Sequence, residues 1–188
     1  MKKLLTLAFL VSLPFLHGCA AVALGGAAAT GIVVGEDRRT VGTITEDQGI
    51  EFKVGSRVSE KYPAAHINVT SFNRNVLLTG EAPDAEAKAE IERIAKAVET
   101  VRGTFNELQV AGNSSLSARA NDAYITSKVK ARFIDAKKFN VVYVKIVTEA
   151  NVVYLMGLVN RQEANDATEL ARTTSGVQKV VRAFEYLD

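Results

Sequence analysis

Val76-Leu77-Leu78-Thr79-Gly80 and Val153-Tyr154-Leu155-Met156-Gly157 are the stretches from which the fold is read. They share a valine, a leucine and a closing glycine at an offset of 77 residues. The likeness extends in both directions. Upstream, Ile50-x-x-Lys53-Val54-x-x-Arg57 matches Ile125-x-x-Lys128-Val129-x-x-Arg132 at an offset of 75. Downstream, Glu86-Ala87 matches Glu163-Ala164, and Val101 matches Val177. Ordered matches with a drift of one or two residues are the mark of a duplicated unit with loop insertions.

Each copy divides into the same elements. Ile50, Val54 and Val58, and their counterparts Ile125, Val129 and Phe133, recur every fourth residue and predict a first helix. Asp122 stands where it would cap the second of these helices. Alternation at Ile67, Val69 and Ser71, and at Val142, Val144 and Ile146, predicts a strand. The turns Asn73-Arg74-Asn75 and Glu149-Ala150-Asn151 lead into a second strand that ends at Gly80 or Gly157. A second helix starts near Pro83-Asp84 or Asn160-Arg161, and a last strand covers 104–110 or 180–187. The class is α+β, in the order helix, strand, strand, helix, strand. A hairpin followed by a strand–helix–strand return gives a mixed three-stranded sheet with both helices on one face. Copies of about 66 residues are near the lower limit for an independent core, so the two are expected to dock.

The chain ahead of this pair reads as an address and a tether. Lys2 and Lys3 precede an apolar run over residues 4–16, about thirteen residues and too short to span a bilayer. It ends in Leu16-His17-Gly18-Cys19, which resembles a bacterial lipobox. The resemblance implies diacylglyceryl transfer to the Cys19 thiol, cleavage before it and N-acylation (a palmitate-type chain) of the new terminus. Ala20 follows instead of aspartate, which by resemblance to sorted lipoproteins points to the periplasmic face of the outer membrane. The expected divisions are a signal peptide at 1–18, an acylated tether at 19–46, a first domain at 47–112, a linker at 113–121 and a second domain at 122–188.

Composition narrows the chemistry. The only cysteine is the expected acylation site, and His66 is the only histidine after residue 18. Ser–His and Cys–His catalysis and a histidine-containing metal cluster are therefore excluded, and no cofactor is expected. Glu86 and Glu90, with Lys88, Arg93 and Lys96 nearby, read as a solvated helix face. Without Lys2 and Lys3 the chain carries 21 basic and 21 acidic side chains, so any attraction to an anionic surface must be local. No stacking aromatics are interleaved with the charges, which argues against nucleic acid. Residues 47–112 hold 8 basic and 10 acidic side chains, and residues 122–188 hold 10 and 8. Much of the difference lies in Lys128, Lys130, Arg132, Lys137 and Lys138, set against Asp135 alone.

Val-x-Leu-x-Gly, an alanine-bearing helix and Gly176-Val177-Gln178-Lys179-Val180 together resemble the BON domain. Two such units behind a lipobox resemble the dual-BON-domain outer-membrane lipoprotein family (DolP-like). That resemblance implies a non-catalytic protein whose second domain binds anionic phospholipid through its first helix. It also implies a role in envelope integrity with enrichment at the division site, and contact with outer-membrane assembly or division proteins. Read at 100° per residue, Tyr124, Lys128 and Arg132 form one stripe beside the apolar face, and Lys130 lies on the opposite flank. The phospholipid-binding set is therefore Tyr124, Lys128, Lys130, Arg132, Lys137 and Lys138; the first copy has Gly49 and Gly55 where Tyr124 and Lys130 stand. The alternative is a protein-binding adaptor whose only lipid contact is its acyl anchor.

The anchor is directly measurable. Intact mass of the membrane-extracted protein should show loss of residues 1–18 and added acyl mass on Cys19, and Cys19→Ala should accumulate as an unprocessed precursor.

Overall fold

Thr40 and Ser115 set where the two repeats begin. Thr40 Oγ1 accepts the Thr43 N–H at 3.1 Å and opens α1 (Val41–Lys61). Ser115 Oγ accepts the Ala118 N–H at 3.1 Å and opens the counterpart of α1 in the second repeat, the helix Leu116–Ala136. The computed structural model describes residues 37–188, so Cys19 and the signal peptide lie outside the described residues. Both first helices start earlier than expected, because a capping hydroxyl lies upstream of each apolar repeat. Residues 41–46 are helix, not tether, and the expected linker at 113–121 is largely helix as well.

In the first repeat α1 is followed by β1 (His66–Phe72), β2 (Asn75–Ala82), α2 (Ala85–Lys96), β3 (Gly103–Asn106) and β4 (Gln109–Val110). The second repeat runs α3 (Leu116–Ala136), a 3-10 turn (Val141–Tyr143), β5 (Val144–Glu149), β6 (Val152–Val159), α4 (Arg161–Arg172) and β7 (Lys179–Tyr186). In each, the hairpin strands are antiparallel and the last strand is parallel to the middle one. The strand expected over 104–110 is interrupted at Glu107 and Leu108, where Leu108 turns wholly into the first core. The closing glycines have a steric cause. A Cβ on Gly80 (φ +107°) would lie 2.0 Å from the His66 carbonyl oxygen, and one on Gly157 2.5 Å from that of Tyr143.

Each repeat buries its own core between helices and sheet. Ile50, Val54 and Val58 meet Val76, Leu78, Ile91 and Ala95, while Ile125, Val129 and Phe133 meet Val153, Leu155, Ala164 and Ala167. The opposite faces of the sheets form a third core, in which Phe72 and Leu77 pack with Tyr154, Met156 and Ala183. The repeats thus dock sheet against sheet, with helices on the two outer faces. Polar bonds rim this seam: Lys145 Nζ lies 2.7 Å from Glu51 Oε1, and Glu185 accepts from Asn73 and pairs with Arg102. Arg38 binds both carboxylate oxygens of Glu163, at 2.6 and 2.8 Å, and covers the Tyr143 ring. Its neighbour Arg39 pairs with Asp47 at 2.9 Å and covers the Phe72 ring.

Asp122 does not cap α3, because it lies well inside the helix. It is buried and faces the hairpin, where its carboxylate accepts the N–H groups of Ala150 (2.9 Å) and Asn151 (2.8 Å). Asp47 does the same in the first repeat for Asn73 (2.9 Å) and Arg74 (2.7 Å), and also accepts from Ser71 Oγ. All four turn residues have φ between 49° and 64°, a tight left-handed turn that leaves two adjacent N–H groups in need of an acceptor. Asp122→Ala should therefore cost roughly 2–4 kcal/mol by removing two hydrogen bonds to a charged acceptor. Thermal and urea unfolding should show a lower midpoint, and Asp47→Ala should behave alike.

Candidate functional site

Lys128 and Arg132 do not point away from the protein. Arg132 donates through one nitrogen to the Leu170 carbonyl (2.8 Å) and to the hydroxyls of Thr173 (2.9 Å) and Thr174 (3.0 Å). Lys128 donates to the Ser175 carbonyl, and its ammonium lies 4.6 Å from the centre of the Tyr124 ring. Both cations bind the end of α4, where carbonyl groups lack helical partners and the helix dipole favours positive charge. Lys138 pairs with Asp166 at 2.6 Å. Lys137 is the left-handed residue (φ 50°) that closes α3, and its side chain is exposed. Lys130 is exposed too, and neither Lys130 nor Lys137 forms an ion pair among the described residues.

The predicted phospholipid-binding set therefore separates into two parts. Tyr124, Lys130 and Lys137 face solvent, whereas Lys128, Arg132 and Lys138 are engaged in holding α3 against α4. The outward face also carries two residues outside the predicted set, Leu116 and Ile134, 82% and 52% exposed beside Tyr124 at 62%. Leu116 falls in the expected linker at 113–121, because an aspartate at 122 reads as a helix start. Ile134 was legible: at 100° per residue it falls about 180° from Ile125. Along this outer line, Leu116, Ala123, Ser127, Lys130 and Ile134 include no acidic side chain. The corresponding line of α1 is Val41, Gln48, Phe52, Gly55 and Ser59, with Phe52 77% exposed and no cation.

A second cluster lies at the seam. His66, Glu81 and Glu149 each present a ligand atom within 4.8 Å of the others, which corrects the expectation that no histidine-containing cluster exists. That expectation counted histidines and not the carboxylates that pairing of the repeats brings beside one. Glu149 accepts from Asn68 Nδ2 at 2.7 Å, and Glu81 from the N–H and hydroxyl of Ser114. Burial pushes the Glu149 carboxyl above the usual range, against the lowering effect of the Asn68 bond. Burial also pushes the Tyr154 phenol up, to about 12, with Glu107 and Glu149 adding to the shift.

Residues 46–112 and 121–188 each match the BON domain model. The chain belongs to the BON-domain family. With two BON domains it is similar to the outer membrane lipoprotein DolP of Haemophilus influenzae, 36% identical over 177 residues, covering 93% of this chain and 91% of that protein. The 21 kDa hemolysin of Actinobacillus pleuropneumoniae is 30% identical over 80% of the chain and 79% of its own length. The osmotically-inducible protein Y of Escherichia coli is 28% identical, over 81% and 78%. Among the described residues no helix is long and apolar enough to cross a membrane.

The division of labour on α3 in the second BON domain is open to measurement. Arg132→Ala should lower stability by roughly 1–3 kcal/mol, since it leaves the α4 terminus without its donor. Lys130→Ala should leave the melting temperature unchanged within error.

Proposed function

We propose that this BON-domain chain is a non-catalytic, lipid-anchored protein of the outer membrane's periplasmic face that binds anionic phospholipid through its second BON domain. The observation that carries this reading is the outer line of α3, where Leu116 and Ile134 stand exposed on the line of Lys130 with no acid on it, and Tyr124 stands exposed on the adjoining flank. Apolar and aromatic side chains seat at headgroup level while long cations reach phosphate oxygens. Each cation near an anionic surface contributes about 1 kcal/mol. Lys130 and Lys137 supply only part of the attraction needed for stable binding. The acyl chains on Cys19 supply the rest, so the domain orients on a membrane to which the chain is already held. Similarity to DolP supports the outer-membrane placement and the lipoprotein leader. A contribution to envelope integrity, with enrichment at the division site, belongs to the same reading.

A second reading rests on Phe52. Its exposed ring on α1, in a line without cations, suits a protein partner from envelope assembly or division better than an anionic bilayer.

Vesicle flotation separates the two. Tyr124→Ala and a Lys130→Glu/Lys137→Glu pair should weaken binding to anionic vesicles severalfold while the melting temperature holds, and Phe52→Ala should leave it intact. Vesicle binding that ignores lipid charge and survives the α3 changes would favour the adaptor. Lys128→Glu/Arg132→Glu is the poorer probe, because it also releases the end of α4.

A further inference from the structure

We propose that His66, Glu81 and Glu149 form a divalent-cation site of the zinc class that fastens the two BON domains together. His66 and Glu81 are partners across the β1–β2 ladder, so their side chains project from the same face. Glu149 ends β5 of the other domain, which makes the site incomplete without both repeats. One imidazole nitrogen and two carboxylate oxygens are a zinc-type donor set, with a fourth position left for a hydroxyl or water. Ligands about 2.0–2.2 Å from a metal stand roughly 3–4 Å apart. The present separations, all within 4.8 Å, need only small side-chain rotations to reach that.

Two further observations point to a missing cation. Glu81 and Glu149 are only 6% and 5% exposed, and among the described residues neither pairs with a lysine or arginine. The partners of Glu81 are Ser114 N and Oγ, and those of Glu149 are Asn68 and, at 3.5 Å, His66 Nε2. Buried carboxylates without a positive partner are costly. Thr79 then supplies an orphan: it is 1% exposed, its Oγ1 has no hydrogen-bond partner, and it lies two residues from Glu81 on the same face of β2. Its partner across the ladder is Asn68, the residue that touches Glu149. A bound ion would supply the positive partner that both carboxylates lack, on the face of β2 that Thr79 shares. The His66 side chain is 17% exposed, which leaves a path from solvent.

The test uses the mature lipoprotein purified from membranes, stripped with chelator and titrated with zinc chloride alone. Calorimetry should give one equivalent bound, and the melting temperature should rise by several degrees. Glu149→Gln and His66→Asn should each weaken binding at least about tenfold and abolish the thermal shift, since loss of a direct ligand costs no less than loss of its support. Tyr124→Ala should retain the full response. Circular dichroism of the metal-free variants confirms folding, and the His66→Asn result stands alone if Glu149→Gln does not fold. No zinc response in the unmodified protein overturns the proposal, as does a response that survives in the folded variants.

Discussion

A buried carboxylate on the first helix of each repeat ties that helix to the tip of its hairpin. Asp47 and Asp122 are 75 residues apart in the chain and occupy the same place in the two domains. Each takes the two adjacent N–H groups of a left-handed turn. The bond fixes the rotation of the helix about its axis. With Asp122 pointing inward, Ile125, Val129 and Phe133 follow it into the core and Leu116, Lys130 and Ile134 are left outward. The face left to solvent is thus decided by an interaction made on the opposite side of the same helix.

The seam depends on the hairpin in turn. Once β2 and β6 sit as the middle strands, alternate residues go to opposite faces. Val76 and Leu78 go to the helices, and Leu77 goes to the partner sheet; Val153 and Leu155 divide from Tyr154 and Met156 in the same way. An apolar run with no polar alternation is the sequence of a strand buried on both faces. The middle strand of each BON domain can be such a strand only because a second sheet covers it.

Much of this was legible. The duplicated pattern carried the element order, the pairing of strands and the buried residues of the first helices, because periods of four and two report directly on packing. Helix starts were misplaced because the apolar repeat begins several residues after the capping hydroxyl, and an aspartate near the first apolar residue looks like a cap. Half of the positive set is engaged with the neighbouring helix for a different reason. Spacing says that Tyr124, Lys128 and Arg132 share one side of a helix, but not that the end of α4 lies beside them. The seam cluster was out of reach, since Glu81 and Glu149 are 68 residues apart and meet only when the sheets do.

Arg38 and Arg39 give the body an unusual mechanical entry. Adjacent in the chain, they lie against different domains, one on Tyr143 and Glu163 and the other on Phe72 and Asp47. Tension arriving along the backbone from the N-terminal side is divided between the domains before it reaches α1. A pull at this point presses on the attachment of both domains at once, so a protein held by its N-terminal end would resist separation of its halves under load.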